Sequence, residues 1–182
     1  TGGAEMKEPR GRLRAPKDEI LLAEAKEALA YCRSAEELCQ IAHIHLDRLF
    51  PDARACIYLA DENGTRFVAP QICECQKDTV SEFRHYECWA ICRGTAHAAG
   101  SVSDSSPCGH VKTPETPFWR YLCLPLYAGS RILGLLHIEH MPKKGDGHDK
   151  RKAFHDPSGL RLLSRLAQEV ATLLASLKPA GT

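Results

Sequence analysis

Two apolar runs joined by a two-residue turn constrain the fold more than any other part of this chain. They are Tyr121-Leu-Cys-Leu-Pro-Leu-Tyr127 and Arg131-Ile-Leu-Gly-Leu-Leu-His-Ile-Glu-His140, with Gly129-Ser130 at the turn. Alternation predicts a hairpin over 120–128 and 131–140. On the second strand Ile132, Gly134, Leu136 and Ile138 fall on one face, and Leu133, Leu135, His137 and Glu139 on the other. Both faces are apolar near the middle, so the hairpin must be covered on both sides, as in a layered domain.

The flanking sequence supplies the cover. Residues 1–16, rich in Gly, Pro and charge without periodicity, read as a mobile arm, and 17–178 as a single domain. A run of strong helix formers predicts a first helix over 18–31. Ser34-Ala-Glu-Glu37 fits a capping box, so a second helix starts at Ala35 and stops at Pro51. Two short strands, 53–60 and 65–72, flank Asp61-Glu-Asn-Gly64 as a hairpin. A short helix over 82–92 closed by Gly94, a strand over 95–101 and a long loop over 101–117 follow. After a charged excursion over 141–155, Asp156-Pro157 opens a last helix with Leu163, Leu166, Val170, Leu173, Leu174 and Leu177 on one stripe. The class is α+β: an antiparallel sheet with helices on one face and loops over the other.

Charge excludes one function class. The 24 Lys and Arg balance 23 Asp and Glu, which gives no basic excess for nucleic acid. No run approaches the roughly 20 apolar residues of a membrane-spanning helix, and the start lacks a signal-peptide pattern. Nine cysteines spread through predicted helices and strands then read as reduced thiols in a cytoplasmic protein. The two ends read as those of a piece cut from a longer chain, with an output domain beyond it.

The helix-then-hairpin start, the Leu122-Cys-Leu-Pro-Leu-Tyr127 run, the Ile132-Leu-Gly-Leu-Leu-His-Ile138 strand and the closing amphipathic helix resemble a GAF domain over about 34–177. Glu87-Cys-Trp-Ala-Ile-Cys-Arg-Gly94 followed by Cys108-x-His110 is similar to bacterial GAF modules that precede diguanylate cyclase or histidine kinase domains. The resemblance implies an antiparallel sheet of five or six strands with a pocket lid on one face, a non-catalytic sensory module with a small-molecule pocket, helices that mediate homodimerization, and an output domain in the full protein; a dimerization module with a vestigial pocket is an alternative. Family members bind cyclic nucleotides, linear tetrapyrroles, haem or small metabolites, and these motifs select no one cofactor among them.

The pocket residues expected on this basis are Tyr86, Cys88, Trp89, Cys92, Cys108, His110, Trp119 and Tyr121, with Tyr127 and His137 nearby. Aromatic rings offer stacking faces for a planar ligand. If 82–92 is helical, Cys88 and Cys92 share a face and could join Cys108 and His110 around a tetrahedral zinc ion. The one-residue gap between Cys108 and His110 is awkward for two ligands of one metal, so the preferred reading of Cys88 and Cys92 is as small buried hydrophobes and no metal is assigned. Cys108-Gly-His110 also resembles the chromophore-attaching Cys beside a His of bilin-binding GAF domains, apart from the intervening Gly. Cys73-x-Cys75 lacks a matching second pair and reads as structural. The set Cys88, Cys92 and Cys108 resembles free methionine-R-sulfoxide reductase, an enzyme on a GAF scaffold, with Glu87 or Asp104 as the acid; this is the enzyme alternative.

Overall fold

The computed structural model describes residues 16–70, 79–100, 105–112, 119–140 and 154–177. The expected arm, Cys73-x-Cys75, Asp104, the end of the expected 65–72 strand and most of the 141–155 excursion lie outside the described residues. Four helices, α1 (Pro16–Ala30), α2 (Ala35–Leu49), α3 (Trp89–Arg93) and α4 (Pro157–Ser176), accompany six strands. The strands are β1 (Ala53–Ala60), β2 (Arg66–Val68), β3 (Glu82–Arg84), β4 (His97–Gly100), β5 (Arg120–Ala128) and β6 (Arg131–His140). They form one antiparallel sheet in the order β3-β2-β1-β6-β5-β4, which puts β1 and β6 at its centre and the apolar β5 beside β6.

Local chemistry sets the helix starts. The Ser34 side chain accepts from the Glu37 N–H at 3.1 Å, while the Glu37 carboxylate accepts from the Arg33 N–H at 2.8 Å. The cap thus satisfies an orphan amide at α2. Asp156 accepts from the Gly159 N–H at 2.6 Å with Pro157 in the first turn of α4, as the sequence predicts. Gly64 at φ 66° and Gly129 at φ 60° take the left-handed conformation that their hairpin turns require.

Strand alternation divides the interior into two cores. On the helix side Leu122, Leu124, Leu136, Ile138, Ala55 and Ile57 pack with Leu38, Leu46, Leu162, Leu163 and Leu166. On the opposite side Cys56, Tyr58, Tyr121, Cys123 and Leu135 pack with Phe67, Phe83, Cys88 and Cys108. The expected alternation holds on β6 from Gly134 onward and breaks before it. Leu126 pairs with Gly134 and Tyr127 with Ile132, so Leu133 is an extra residue in a bulge. Ile132 therefore turns to the second core and Leu133 to the helix side, the reverse of the expected faces.

The expected helix over 82–92 is also corrected. Glu82–Arg84 pairs with β2, and Phe83 stacks on Phe67 with ring centroids 5.1 Å apart. A 3-10 turn over His85–Glu87 follows, and only Trp89–Arg93 is α-helical, ending at Gly94 with φ 67°. Cys88 is the extended residue that caps this helix, at φ −121° and ψ 113°. Helical spacing therefore does not place Cys88 and Cys92 on one face.

Candidate functional site

The side of the sheet away from α1, α2 and α4 carries the chemistry. Cys56 on β1, His137 on β6, Cys123 on β5 and His97 on β4 are successive register partners, so they form a row across four strands. Tyr121 precedes Cys123 by two residues and shares its face. Over this row lies a cover made of the Cys88 turn, α3 and residues 105–112, and Phe83 of the edge strand β3 packs against it. Val111 N–H donates to the Cys108 carbonyl at 3.1 Å, closing a tight turn around Gly109. That turn aims both Cys108 and His110 inward, which removes the objection to their one-residue spacing. His97 Nε2 lies 3.0 Å from the Ser106 carbonyl, and His110 N–H donates to the Glu87 carbonyl at 3.4 Å, so the loop is tied to β4 and to the 3-10 turn.

Four soft donors converge there. The Sγ atoms of Cys88, Cys108 and Cys123 and a ring nitrogen of His110 lie within 4.8 Å of one another, and all four residues are buried. Cys108 Sγ is 3.9 Å from Cys88 Sγ, and Cys123 Sγ is 3.7 Å from His110 Nε2. The Trp89 backbone N–H donates to Cys108 Sγ at 3.3 Å, and the Cys108 N–H donates to the Tyr121 hydroxyl at 2.7 Å. The His110 ring stacks on Phe83 at 4.1 Å between centroids. His137 Nδ1 stands 3.4 Å from Cys123 Sγ.

The three thiols do not titrate alike. Hydrogen bonds from Cys123 and Cys88, with further help from His110 and Tyr121, hold the Cys108 thiol well below the ordinary thiol range. The same contact with Cys108, together with burial, pushes Cys88 up to about 12. Burial pushes Cys123 up as well, and burial raises the Tyr121 phenol. The three thiols are close enough to titrate as one coupled set, with Cys108 displaced downward and its two neighbours upward. Burial, reinforced by His110, holds His137 down to about 3, so its imidazole is neutral.

Of the eight expected pocket residues, Cys88, Cys108, His110 and Tyr121 meet at this point. Trp119 is buried beside Tyr121, with ring centroids 5.3 Å apart, and its Nε1–H donates to Glu139 Oε2 at 3.2 Å. Glu139 Oε1 also pairs with Arg54 at 3.0 Å. Three expectations do not meet there. Tyr86 is 69% exposed and Trp89 is 42% exposed, and the Trp89 ring lies under the Arg93 guanidinium at 5.2 Å. Cys92 is exposed, its thiol donating to the His85 carbonyl at 3.5 Å. Trp89 contributes its backbone amide to the site rather than its ring. Cys123, Tyr58 and Phe83 also line this side, and the sequence assigns them no role; the same-face spacing of Tyr121 and Cys123 is the one signal that points to Cys123.

The profile of the GAF domain family matches residues 34–176. No curated protein sequence matches the chain. Solved structures resemble it in fold. The GAF domain of the potassium sensor histidine kinase KdpD from Escherichia coli is 24% identical with a TM-score of 0.56, covering 87% of this chain and 94% of its own. The free methionine-R-sulfoxide reductase of Neisseria meningitidis, in complex with its substrate, is 16% identical with a TM-score of 0.64 over 90% of this chain and 93% of that one. The GAF domain of a phosphoenolpyruvate-protein phosphotransferase from Acinetobacter is 13% identical with a TM-score of 0.63, covering 89% and 95%. Among the described residues no helix is long and apolar enough to cross a membrane.

Proposed function

The chain belongs to the GAF domain family, and from that premise we propose that it is a sensory, regulatory module of a bacterial signal-transduction protein. A small ligand held between the sheet and the 82–120 segment favours one arrangement of that cover, and the terminal helices carry the shift to an output domain. The observation that carries this reading is the division of labour on β5 and β6. Tyr121, Cys123 and His137 face the site, while the interleaved Leu122, Leu124, Leu136 and Ile138 pack under the helices. A displacement of either strand is felt on both faces, because a packed sheet is not continuously deformable. The terminal helices α1 and α4 pack side by side, bridged by Lys26–Glu169 at 3.0 Å and Arg165–Glu19 at 2.8 Å. Homodimerization through these two helices is the route by which they reach a partner copy.

The test is amide hydrogen exchange with cyclic nucleotides, haemin and zinc ion as probes, each first screened by thermal shift. A probe that binds is expected to change exchange in 16–30 and 157–176 as well as in 82–112. Binding that alters the cover and leaves both helices unchanged refutes the relay.

A second reading has one observation in its favour: the Cys88 and Cys108 sulfurs are 3.9 Å apart, with Cys108 the more acidic. In a thiol-dependent sulfoxide reductase one thiolate attacks the sulfoxide sulfur and the oxygen leaves on the cysteine as a sulfenic acid. The second thiol then displaces water to form a disulfide, which an external dithiol reduces. Turnover of free methionine-R-sulfoxide with dithiothreitol, lost in Cys108→Ser, would establish this activity; no turnover would leave the sensor.

A further inference from the structure

We propose that Cys88, Cys108, His110 and Cys123 form a closed tetrahedral site for a zinc-class divalent ion that pins the 82–112 cover to the centre of the sheet. This names the ligand of the sensory site and in that sense rests on the reading above, but its test does not involve the helices.

The geometry matches what such an ion needs. Zinc–sulfur bonds of about 2.3 Å and a zinc–nitrogen bond of about 2.0–2.1 Å at tetrahedral angles put sulfurs roughly 3.8 Å apart and a sulfur and nitrogen roughly 3.5 Å apart. The Cys88–Cys108 and Cys123–His110 distances are 3.9 Å and 3.7 Å. All four donors fall within 4.8 Å of one another, so binding requires a contraction of the remaining edges and no rearrangement of the chain. Three thiolates and an imidazole select zinc or cobalt over calcium, magnesium or manganese, which take oxygen ligands. Four protein ligands leave no open position, which is the pattern of a structural rather than a catalytic site.

The surroundings suit the charge that results. Three thiolates around a divalent ion leave one net negative charge. The Trp89 amide donates to Cys108 Sγ at 3.3 Å, and His137 lies within 3.4 Å of Cys123 Sγ, where an Nδ1–H would donate to it. The ring of His110 is oriented by its stack on Phe83, which aims Nε2 at Cys123. The facing groups already touch at this point of the sheet, so it suits an atom-sized occupant better than a planar macrocycle. The ligands also come from three separate places, the cap of α3, the 105–112 turn and the middle of β5. An ion there would tie these three segments to one centre.

The experiment uses the whole chain without a polyhistidine tag, reduced and stripped with a chelator, then titrated with cobalt or zinc alone. Cobalt is expected to give the intense visible ligand-field bands of a tetrahedral ion with near-ultraviolet thiolate charge transfer, saturating at one ion per chain and lost on adding zinc. Zinc at about a thousandfold over its Kd should raise the Tm by about 8–16 °C. Cys108→Ser and Cys123→Ser should lose the one-equivalent site, His110→Gln should weaken it by at least tenfold, and Cys92→Ser should keep it. Absence of tetrahedral cobalt bands overturns the proposal, as does a folded Cys123→Ser that still binds one equivalent. If Cys123→Ser does not fold, the wild-type charge-transfer intensity decides, since it scales with the number of thiolates and must correspond to three. A Cys88–Cys108 disulfide in the aerobic protein, with no metal uptake after reduction, overturns it in favour of the reductase. Metal binding without any change in the helices would refute the relay and leave this proposal standing.

Discussion

Replacing Gly134 by alanine tests whether the two central strands are as closely coupled as the relay needs. Gly134 sits on β6 opposite Leu59 of β1 and Leu126 of β5. A methyl group there would meet the Tyr58 carbonyl oxygen at 2.3 Å and a Leu126 methyl at 3.5 Å. The first contact must open to at least 3.0 Å, and the obstacle is backbone held in the β1–β6 ladder rather than a movable side chain. Overpacking of this kind costs about 1–3 kcal/mol, against which alanine recovers about 0.5–1 kcal/mol of the glycine's chain entropy. Taken at the middle of each range, the net loss is about 1 kcal/mol, or a fall in Tm of about 2–4 °C for a chain of this size. Gly134→Asn should be worse, whereas Gly129→Asn, at φ 60° with nothing within 4 Å of its added carbon, should cost only a few tenths of a kcal/mol by the tolerance of Asn for that conformation. Differential scanning calorimetry on the four proteins reads these shifts directly. A Gly134→Ala protein as stable as the wild type would show that β6 has room to shift against β1, and the premise that the packed sheet cannot absorb a displacement of β6 would fail.

Four further outcomes are expected. Ser34→Ala removes the acceptor for the Glu37 amide and should lower stability by about 1 kcal/mol, read as a urea midpoint shift at unchanged slope. Leu166→Ala, in the fully buried seam of α4, should cost about 2–5 kcal/mol in the same titration. Burial and then the Arg48 guanidinium hold His45 below the ordinary imidazole value, so the unfolded chain binds a proton that the folded one refuses. Stability is then full above the unfolded pKa of about 6.5 and declines as pH falls below it; the wild type should lose more between about pH 7.5 and pH 5 than His45→Gln does. In the native, reduced protein an iodoacetamide pulse followed by peptide mapping should label Cys92 at least tenfold faster than Cys123, which is 0% exposed; equal labelling would contradict the burial of the cluster.

Where the sequence carries a repeated local signal, the structure follows it closely. The β5–β6 hairpin begins and ends at the expected residues because its alternation runs over many positions and Gly129 sets the turn. The capping box fixes α2, and Asp156-Pro157 fixes α4. Signals that reside in distant partners were not legible. Glu82–Arg84 is a strand because β2 lies beside it, and three residues contain too little alternation to say so. The phase of Cys88 was misread for a related reason: its backbone is extended at the helix cap, so helical spacing to Cys92 has no meaning there. The bulge at Leu133 depends on how Tyr127 meets Ile132 across the hairpin. Cys123 was hidden in another way, since a cysteine inside an apolar strand is usually core. Only the arrival of Cys108 and His110 above it, through a turn that sequence spacing does not reveal, distinguishes it from its leucine neighbours.

The contrast between the two faces of β5 and β6 locates function more firmly than any single residue does. The helix side is built from leucine, isoleucine and alanine, which stabilise a fold without specifying any chemistry. The other face of the same strands carries Tyr121, Cys123, His137 and Glu139, all buried. Burying these groups costs desolvation that aliphatic residues would avoid, and the same burial holds the His137 imidazole well below its ordinary value. Their polar atoms are directed at one another and at the cover: Trp119 to Glu139, Tyr121 to Cys108, His110 to Cys123. A chain that needed only a second hydrophobic layer would meet that need with aliphatic residues, as it does across the sheet. Local rules that are obeyed on one face and broken on the other of the same two strands are the physical ground for proposing the broken side as the site.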